Sequence, residues 1–283
     1  MATVGNRRLL TISACGLAIV IVVGTLALIA SGFSESLLTD ADCSQRPANP
    51  PSFAVYDLDE DAADWGVHCE GLPTWTKGNA GTPSIVGKSL RCSIVGGSAY
   101  SNIHCYRNLL PEPAATAFTL TLSFWISPTT TCNNQGSPSV VQALEFTMNK
   151  WHQSKRYEFA LQWQNVGDGA PQWRYWAPNQ TEQWVPMDPP VTQCLQSGQW
   201  HTLTMTGEIR NGQVHYSGFK IDQDALILDI TVPPVHVPGE SDRLAVAFQL
   251  DGNSTESPYD VFVDGVSFIR RPASQAYLAL VLK

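Results

Sequence analysis

Large apolar residues alternate with small or polar ones in one short segment after another, and this period of two limits the folds open to the chain. Residues 241–251 show the pattern most clearly, with large apolar side chains at Leu244, Val246, Phe248 and Leu250. Side chains on a strand point alternately to opposite faces, so this segment is predicted to be a strand with one apolar and one polar face. Turn-forming residues follow at 251–254, and residues 259–269 are predicted to return as a second strand.

The same alternation recurs along the chain, at residues 117–126, 140–149, 157–163, 201–207, 213–221 and 225–232. Residues 88–107 are predicted to form a further hairpin, with its turn near residues 96–101. No segment after Ala30 shows a convincing helical period of 3.6 residues. Many short strands separated by turn residues predict an all-β fold, either a sandwich or a barrel.

The polar faces of these strands have an unusual composition. A solvent-facing sheet normally carries Lys, Glu and Thr, whereas these faces carry Thr, Ser, Ala, Gln, single carboxylates and Trp. Polar groups beside flat aromatic rings suit a sugar, so one interpretation is a shallow carbohydrate-binding groove. The other is an ordinary solvent face of low charge.

The N-terminal part of the chain predicts export. Residues 9–30 carry no charge and are long enough to cross a bilayer, and Arg7 and Arg8 place the N-terminus on the cytoplasmic side. Residues 1–30 are thus predicted to be a cytoplasmic tip and transmembrane signal anchor, with a cleaved signal peptide and a secreted domain as the alternative. The expected order is then a stalk at residues 31–52, an extracytoplasmic domain at 53–272 and a tail at 273–283.

Cysteine usage agrees with an oxidising compartment. Six of the seven cysteines follow the apolar segment, which suggests up to three disulfides. Cys92 and Cys105 are predicted to pair across the hairpin at residues 88–107. The remaining pairs, Cys132 with Cys194 and Cys43 with Cys69, follow only by elimination.

Charge bears on the choice of partner. The formal net charge is -8 and the chain has no basic cluster, which argues against nucleic acid as a ligand. No cofactor is required by any of the functions considered. A structural calcium ion is a further prediction, with Asp57, Asp59 and Asp264 as candidate ligands, because hard cations prefer carboxylate oxygens. The alternative for the acidic residues near position 60 is a solvated loop.

Several segments resemble exported bacterial proteins of the concanavalin A-like lectin/glucanase superfamily (LamG-like jelly rolls). The resemblance is carried by ALEFTMN at residues 143–149, QWH at 199–201, AFQLDGN at 247–253 and PYDVFVD at 258–264. It implies a two-sheet antiparallel jelly roll with ligands on the concave sheet. Related proteins have Asp where this chain has Thr147. Glucanases of the superfamily carry a Glu-x-Asp-x-Glu strand, of which this chain keeps only Glu145.

The site predictions follow from the polar faces and the aromatic residues. The residues predicted to contact carbohydrate are Trp125, Glu145, Gln162, Gln249, Asp251, Trp173 and Trp176. Each aromatic ring has the alternative of packing a loop onto the sandwich. A glycoside hydrolase needs two carboxyl groups, and Glu145 with Glu158 forms the candidate pair if a turn at residues 150–154 places them opposite each other. A non-enzymatic module that binds another envelope protein is the third hypothesis.

Overall fold

The computed structural model describes residues 53–95, 98–129, 131–132, 140–178 and 183–272. The predicted signal anchor, stalk and tail lie outside these residues. In the part described, no helix has both the length and the apolar character needed to span a membrane. The one helical element among the described residues is a short 3-10 turn, Ala62–Asp64.

Sixteen β-strands make up the rest of the regular structure in the described part of the chain. In chain order they are β1 (Phe53–Val55), β2 (Gly66–Glu70), β3 (Trp75–Ala80), β4 (Ser89–Ile94), β5 (Asn102–Leu109), β6 (Ala117–Ile126), β7 (Ala143–His152), β8 (Lys155–Gln164), β9 (Gln172–Trp176), β10 (Trp184–Pro186), β11 (Trp200–Arg210), β12 (Gln213–Ile221), β13 (Asp224–Val232), β14 (Val235–His236), β15 (Arg243–Asp251) and β16 (Tyr259–Arg271).

The strands form two antiparallel sheets, which confirms the predicted all-β sandwich. The back sheet has the order β13-β12-β11-β6-β16-β4-β3, with β1 added to β16. The front sheet has the order β10-β9-β8-β7-β15-β5-β2, with β14 added to β8. In each sheet a late strand lies between two early ones: β15 separates β5 from β7, and β16 separates β4 from β6.

The core lies between the sheets and is built from the apolar face of each strand. On β6 the alternation holds throughout, because Phe118, Leu120, Leu122, Phe124 and Ile126 are all buried. Phe124 of the back sheet meets Phe146 of the front sheet with ring centroids 4.9 Å apart. Burial of each such ring stabilises the fold by about 1.5–3 kcal/mol, so the apolar faces produced by the period-two pattern contribute substantially to fold stability.

Two predicted disulfides are confirmed, but the hairpin proposed for one of them is wrong. Cys92 bonds to Cys105, and Cys132 bonds to Cys194. β4 belongs to the back sheet and β5 to the front sheet, so the Cys92–Cys105 bond joins the two sheets through the core. Alternation identified both segments as strands, but it carries no information about whether successive strands share a sheet. Cys69 has no disulfide partner among the described residues, and its predicted partner Cys43 lies outside them.

Candidate functional site

A groove with a volume of about 770 Å³ crosses the outer face of the front sheet. Side chains of seven strands line it: His68, Glu70, Asn102, His104, Tyr106, Asn108, Glu145, Thr147, Asn149, Trp151, Arg156, Glu158, Ala160, Trp176, Trp184, Arg243, Ala245, Ala247 and Gln249. These are the residues that alternate with the core residues along each strand. The polar rows of separate strands therefore assemble side by side on this sheet.

Small residues form the middle of the groove floor. Strand register places Ala160, Thr147 and Ala247 next to one another on β8, β7 and β15. One pleat further along, Glu145 lies between Gln162 and Gln249, and Gln249 lies beside His104 of β5. The short side chains leave a depression bordered by this polar row.

Two tryptophans line the side of the groove formed by β9 and β10. Trp176 and Trp184 are paired across these strands, with ring centroids 5.1 Å apart and an edge-on angle of 63°. The Arg174 guanidinium lies 5.9 Å from the centre of the Trp184 ring. Aromatic rings with this partial exposure offer flat apolar surface at the rim of a polar cavity.

The opposite sheet holds the tryptophan side of the groove in place. Tyr216 of β12 accepts a hydrogen bond from the Ala160 N–H and donates one to the Trp176 carbonyl, both at 3.1 Å. Its hydroxyl therefore bridges β8 and β9 just beyond the stretch in which they pair directly. A core side chain thus fixes the backbone position of a groove residue.

At another end of the groove an arginine covers a tryptophan. The Arg243 guanidinium lies 3.9 Å from the Trp151 ring centre and is paired with Glu240 at 2.5 Å. β7 and β8 join through the two residues Gln153 and Ser154, both with positive φ. This tight turn brings Trp151 opposite Arg156 at the groove margin.

The floor contains a buried polar network. Gln162 donates from Nε2 to the Glu145 carboxyl at 2.7 Å, and Arg174 donates to the Oε1 of Gln162. Gln249 donates to Asp251 at 2.6 Å. The exposed fraction is 8% for Glu145 and 4% for Asp251. Both acids are therefore largely shielded from bulk water, and each accepts a hydrogen bond from a glutamine side chain.

Burial changes the proton affinity of the groove acids. Loss of hydration raises the pKa of Glu145 well above its usual range, and the nearby Asp251 charge raises it further. Loss of hydration likewise raises the pKa of Asp251 to about 7. Burial also raises the pKa of Glu158, although its 2.8 Å ion pair with Arg156 opposes the change. The pKa of His104 is lowered to about 4, chiefly by desolvation, which leaves its ring neutral near pH 7.

Most of the predicted ligand residues come together on the front sheet. Glu145, Gln249 and Trp176 line the groove, and Gln162 and Asp251 lie in the network at its floor. Two predictions are wrong. Trp173 is fully buried and packs against Phe219 in the core, with ring centroids 5.0 Å apart. Trp125 is on the outer face of the back sheet, edge-on to Phe262, because β6 and β7 belong to different sheets.

The predicted opposition of Glu145 and Glu158 is also wrong. Glu145 pairs with Gln162, whereas Glu158 pairs with Asn149, four residues further along β7. The two-residue turn is shorter than the predicted turn at residues 150–154, which shifts the register. Both glutamates still line the groove, but their strand positions are about 13 Å apart along the strand direction at roughly 3.3 Å per residue.

Two of the three candidate calcium ligands, Asp59 and Asp264, already accept hydrogen bonds from the protein, and the calcium site stays a prediction. Asp264 accepts hydrogen bonds from the Ser84 hydroxyl and the Ile85 N–H, and Asp59 accepts one from the Val266 N–H. These two carboxylates thus anchor loops to the back sheet, while Asp57 is an exposed turn residue with positive φ. Across the described ranges, no three His, Cys, Asp or Glu side chains are grouped closely enough to hold a metal ion.

Sequence reasoning missed part of the groove on β2 and β5. His68 and Glu70 alternate on β2, and His104, Tyr106 and Asn108 alternate on β5. The period of two was present in these segments, but residues 66–70 were not assigned to a strand, and the incorrect hairpin assignment for residues 88–107 hid the groove face of β5. Arg156 and Arg243 lie at strand ends, where no sequence signal distinguished them from ordinary surface charges.

Comparison with solved structures defines the fold class. The structure is similar to endo-β-1,4-glucuronan lyase from the fungus Trichoderma reesei, with a TM-score of 0.50 and 11% identity over 76% of this chain and 94% of that chain. It is also similar to the acidic lectin of winged bean, with a TM-score of 0.48 and 9% identity over 78% and 99% of the two chains. The fold is that of a concanavalin A-like jelly-roll sandwich.

At these identities the likeness concerns the fold alone. Neither the protein-family models nor the curated proteins compared with this chain match it.

Proposed function

We propose that the outer face of the front sheet binds carbohydrate. The observation that carries this proposal is the groove itself, which combines a small-residue depression, a row of hydrogen-bonding side chains and a tryptophan pair at its margin. Its volume of about 770 Å³ falls within the roughly 300–1,000 Å³ typical of small-molecule sites.

The chemistry of the lining suits a sugar ring. A pyranose has apolar C–H faces and a rim of hydroxyl groups, so it needs a flat apolar surface and in-plane hydrogen-bond partners together. Trp176 and Trp184 supply the surface, and Glu145, Gln249 and Asn149 supply donors and acceptors around the depression. This mixed polar and aromatic lining differs from the apolar lining expected for a lipid site and from the basic lining expected for a nucleic-acid site.

We further propose that the domain acts outside the cytoplasm and is tethered by residues 9–30. The uncharged length of that segment supports a membrane anchor, and two disulfides support an oxidising compartment. Secretion of a cleaved form is the alternative.

Glycoside hydrolysis by Glu145 and Glu158 receives less support from the geometry. Retaining and inverting enzymes hold their carboxyl groups about 5–5.5 Å and 6.5–9.5 Å apart, and the strand register separates these two residues by two pleats. A binding role makes no such demand on the two glutamates, because each can contact a different part of an extended ligand.

A glycan array probed with the purified full chain tests the proposal. We expect binding to at least one glycan, and we expect Trp176→Ala to weaken it by tenfold or more. Trp125→Ala is the matched control, because it removes a tryptophan from the outer face of the back sheet. Absence of any ligand, or equal loss in both variants, would reject the groove as the site and favour a protein-binding module.

A further inference from the structure

Glu145 has one carboxyl oxygen that the protein leaves available. Gln162 donates to Oε1, and no other described residue hydrogen-bonds to this carboxyl group. The side chain lines the groove although the residue is only 8% exposed. Oε2 is therefore the part of Glu145 that a ligand in the groove can reach.

The surroundings of Glu145 disfavour a negative charge. Each strand packed beside β7, and those beyond it, presents ionisable groups on the same face of the sheet. These groups are Arg156 and Glu158 on β8, Arg174 on β9, Arg243 and Asp251 on β15, His104 on β5, and His68 and Glu70 on β2.

Asp251 and Glu158 oppose ionisation of Glu145, whereas the hydrogen bond from Gln162 and the Arg174 charge favour it. Arg156 and Arg243 are paired with Glu158 and Glu240. Burial is the largest effect, and together with the Asp251 and Glu158 charges it favours the protonated form of Glu145.

We infer that Glu145 recognises the bound sugar as an uncharged carboxylic acid that donates a hydrogen bond from Oε2 to a sugar oxygen. The inference rests on the proposed function. A protonated carboxyl group has one O–H donor, whereas a carboxylate only accepts. The ligand must therefore present an acceptor oxygen, either a hydroxyl or a ring oxygen, above the row formed by Gln162, Glu145 and Gln249.

A protonated Glu145 makes the affinity for sugar higher at low pH than at high pH. The raised pKa of Glu145 means that the donor is present at low pH and is lost as the pH rises through that pKa. Above it, binding weakens by up to about tenfold for each pH unit. The neutral ring of His104 does not contribute to this change, because its pKa of about 4 lies below the relevant range.

Glycan arrays at pH 5 and pH 8 with the full chain test the inference. We expect a signal several-fold stronger at pH 5. Glu145→Gln should bind at both pH values with no such difference, because an amide donates regardless of pH. Glu256→Gln, in an exposed turn, is the matched control and should keep the difference.

The outcomes separate the two proposals. Equal binding of the wild type at both pH values would overturn the inference but leave the proposed carbohydrate binding intact. A pH difference that persists in Glu145→Gln would have the same consequence. Absence of ligand at either pH would overturn both. Carbon-13 NMR titration of glutamate carboxyl groups in the wild-type chain needs neither ligand nor variant. If every glutamate titrates in its ordinary range, the inference fails.

Discussion

The hydroxyl of Tyr216 accepts a hydrogen bond from the backbone N–H of Ala160 at 3.1 Å, although the two residues belong to different sheets. The same hydroxyl donates to the Trp176 carbonyl. A fully buried side chain of the back sheet therefore spans the core and bridges β8 and β9 of the front sheet at the point where their direct pairing ends.

Tyr216→Phe should destabilise the fold and weaken the proposed binding. The substitution leaves the Ala160 N–H and the Trp176 carbonyl without this partner, and an unsatisfied buried polar group costs about 1–3 kcal/mol. Urea unfolding measures the free energy, and the array measures binding. Tyr157→Phe is the control, since no described residue hydrogen-bonds to the Tyr157 hydroxyl, and it should change stability by under about 0.5 kcal/mol. Equal effects of the two variants would contradict the bridging role.

Asp251→Asn should stabilise the protein at pH 8 relative to its effect at pH 5. The pKa of Asp251 is raised from 3.8 to about 7, so the folded state binds this proton more tightly than the unfolded state does. The associated stability is complete below about pH 4 and is lost as the pH rises to about 7. At about 1.4 kcal/mol per pKa unit, the loss approaches 4 kcal/mol.

The neutral amide of the Asp251→Asn variant avoids that loss while keeping an acceptor for Gln249. Urea unfolding of wild type and variant at both pH values provides the measurement. Asp168→Asn, at an exposed position, should have the same small effect at pH 5 and pH 8. A stability difference for Asp251→Asn that does not grow with pH would refute the assignment.

Lys150→Met should be strongly destabilising despite its similar length. Lys150 is 4% exposed, and its ammonium group donates to the carbonyls of Glu112, Pro113 and Ala115 at 3.2, 2.8 and 2.6 Å. The thioether of methionine cannot donate these hydrogen bonds. A hydrogen bond that involves a charged group contributes about 1.5–3 kcal/mol to the free energy of unfolding.

We expect a total loss of about 3 kcal/mol for Lys150→Met, measured by thermal and urea unfolding. Lys155→Met, in the exposed turn of the same hairpin, should change stability little. If the two variants unfold alike, the loop at residues 110–116 is held by other contacts.

Removal of either disulfide should lower stability, and more so for the longer loop. Cys92 and Cys105 are 13 residues apart, and Cys132 and Cys194 are 62 apart. Loop-closure entropy predicts losses of about 3 and about 4 kcal/mol for the paired Cys→Ala variants. Urea unfolding under non-reducing conditions measures both. A paired variant with the same free energy of unfolding as the wild type would contradict the stabilisation predicted for that disulfide.

Strand identity was predictable from the sequence to a large extent. The alternation at residues 117–126 matches β6, and that at 213–221 matches β12. Both confirmed disulfides were also predicted. The hairpin at residues 88–107 was not correct, because β4 and β5 pair with partners far away in the chain rather than with each other.

A minority of the groove residues could be predicted in the same way. Glu145, Gln249 and Trp176 were identified because their side chains fall on polar faces or beside other aromatic residues. Trp125 satisfied the same criterion and lies on the wrong sheet, and Trp173 alternates with groove residues but points into the core. His104 was missed because it lies in the segment assigned to the incorrect hairpin, and Arg243 because no sequence signal distinguishes a charge at a strand end.

The sequence by itself determined which residues of each strand share a face, since the direction of a side chain depends only on its position along a pleated strand. It also indicated an all-β fold, either a sandwich or a barrel, stabilised by disulfides. Tertiary structure alone decided which polar faces meet, because β15 inserts between β5 and β7 and brings Gln249 beside both His104 and Glu145. Pairing between strands about 100 residues apart reflects competition among all sheet edges, and no local pattern records its outcome.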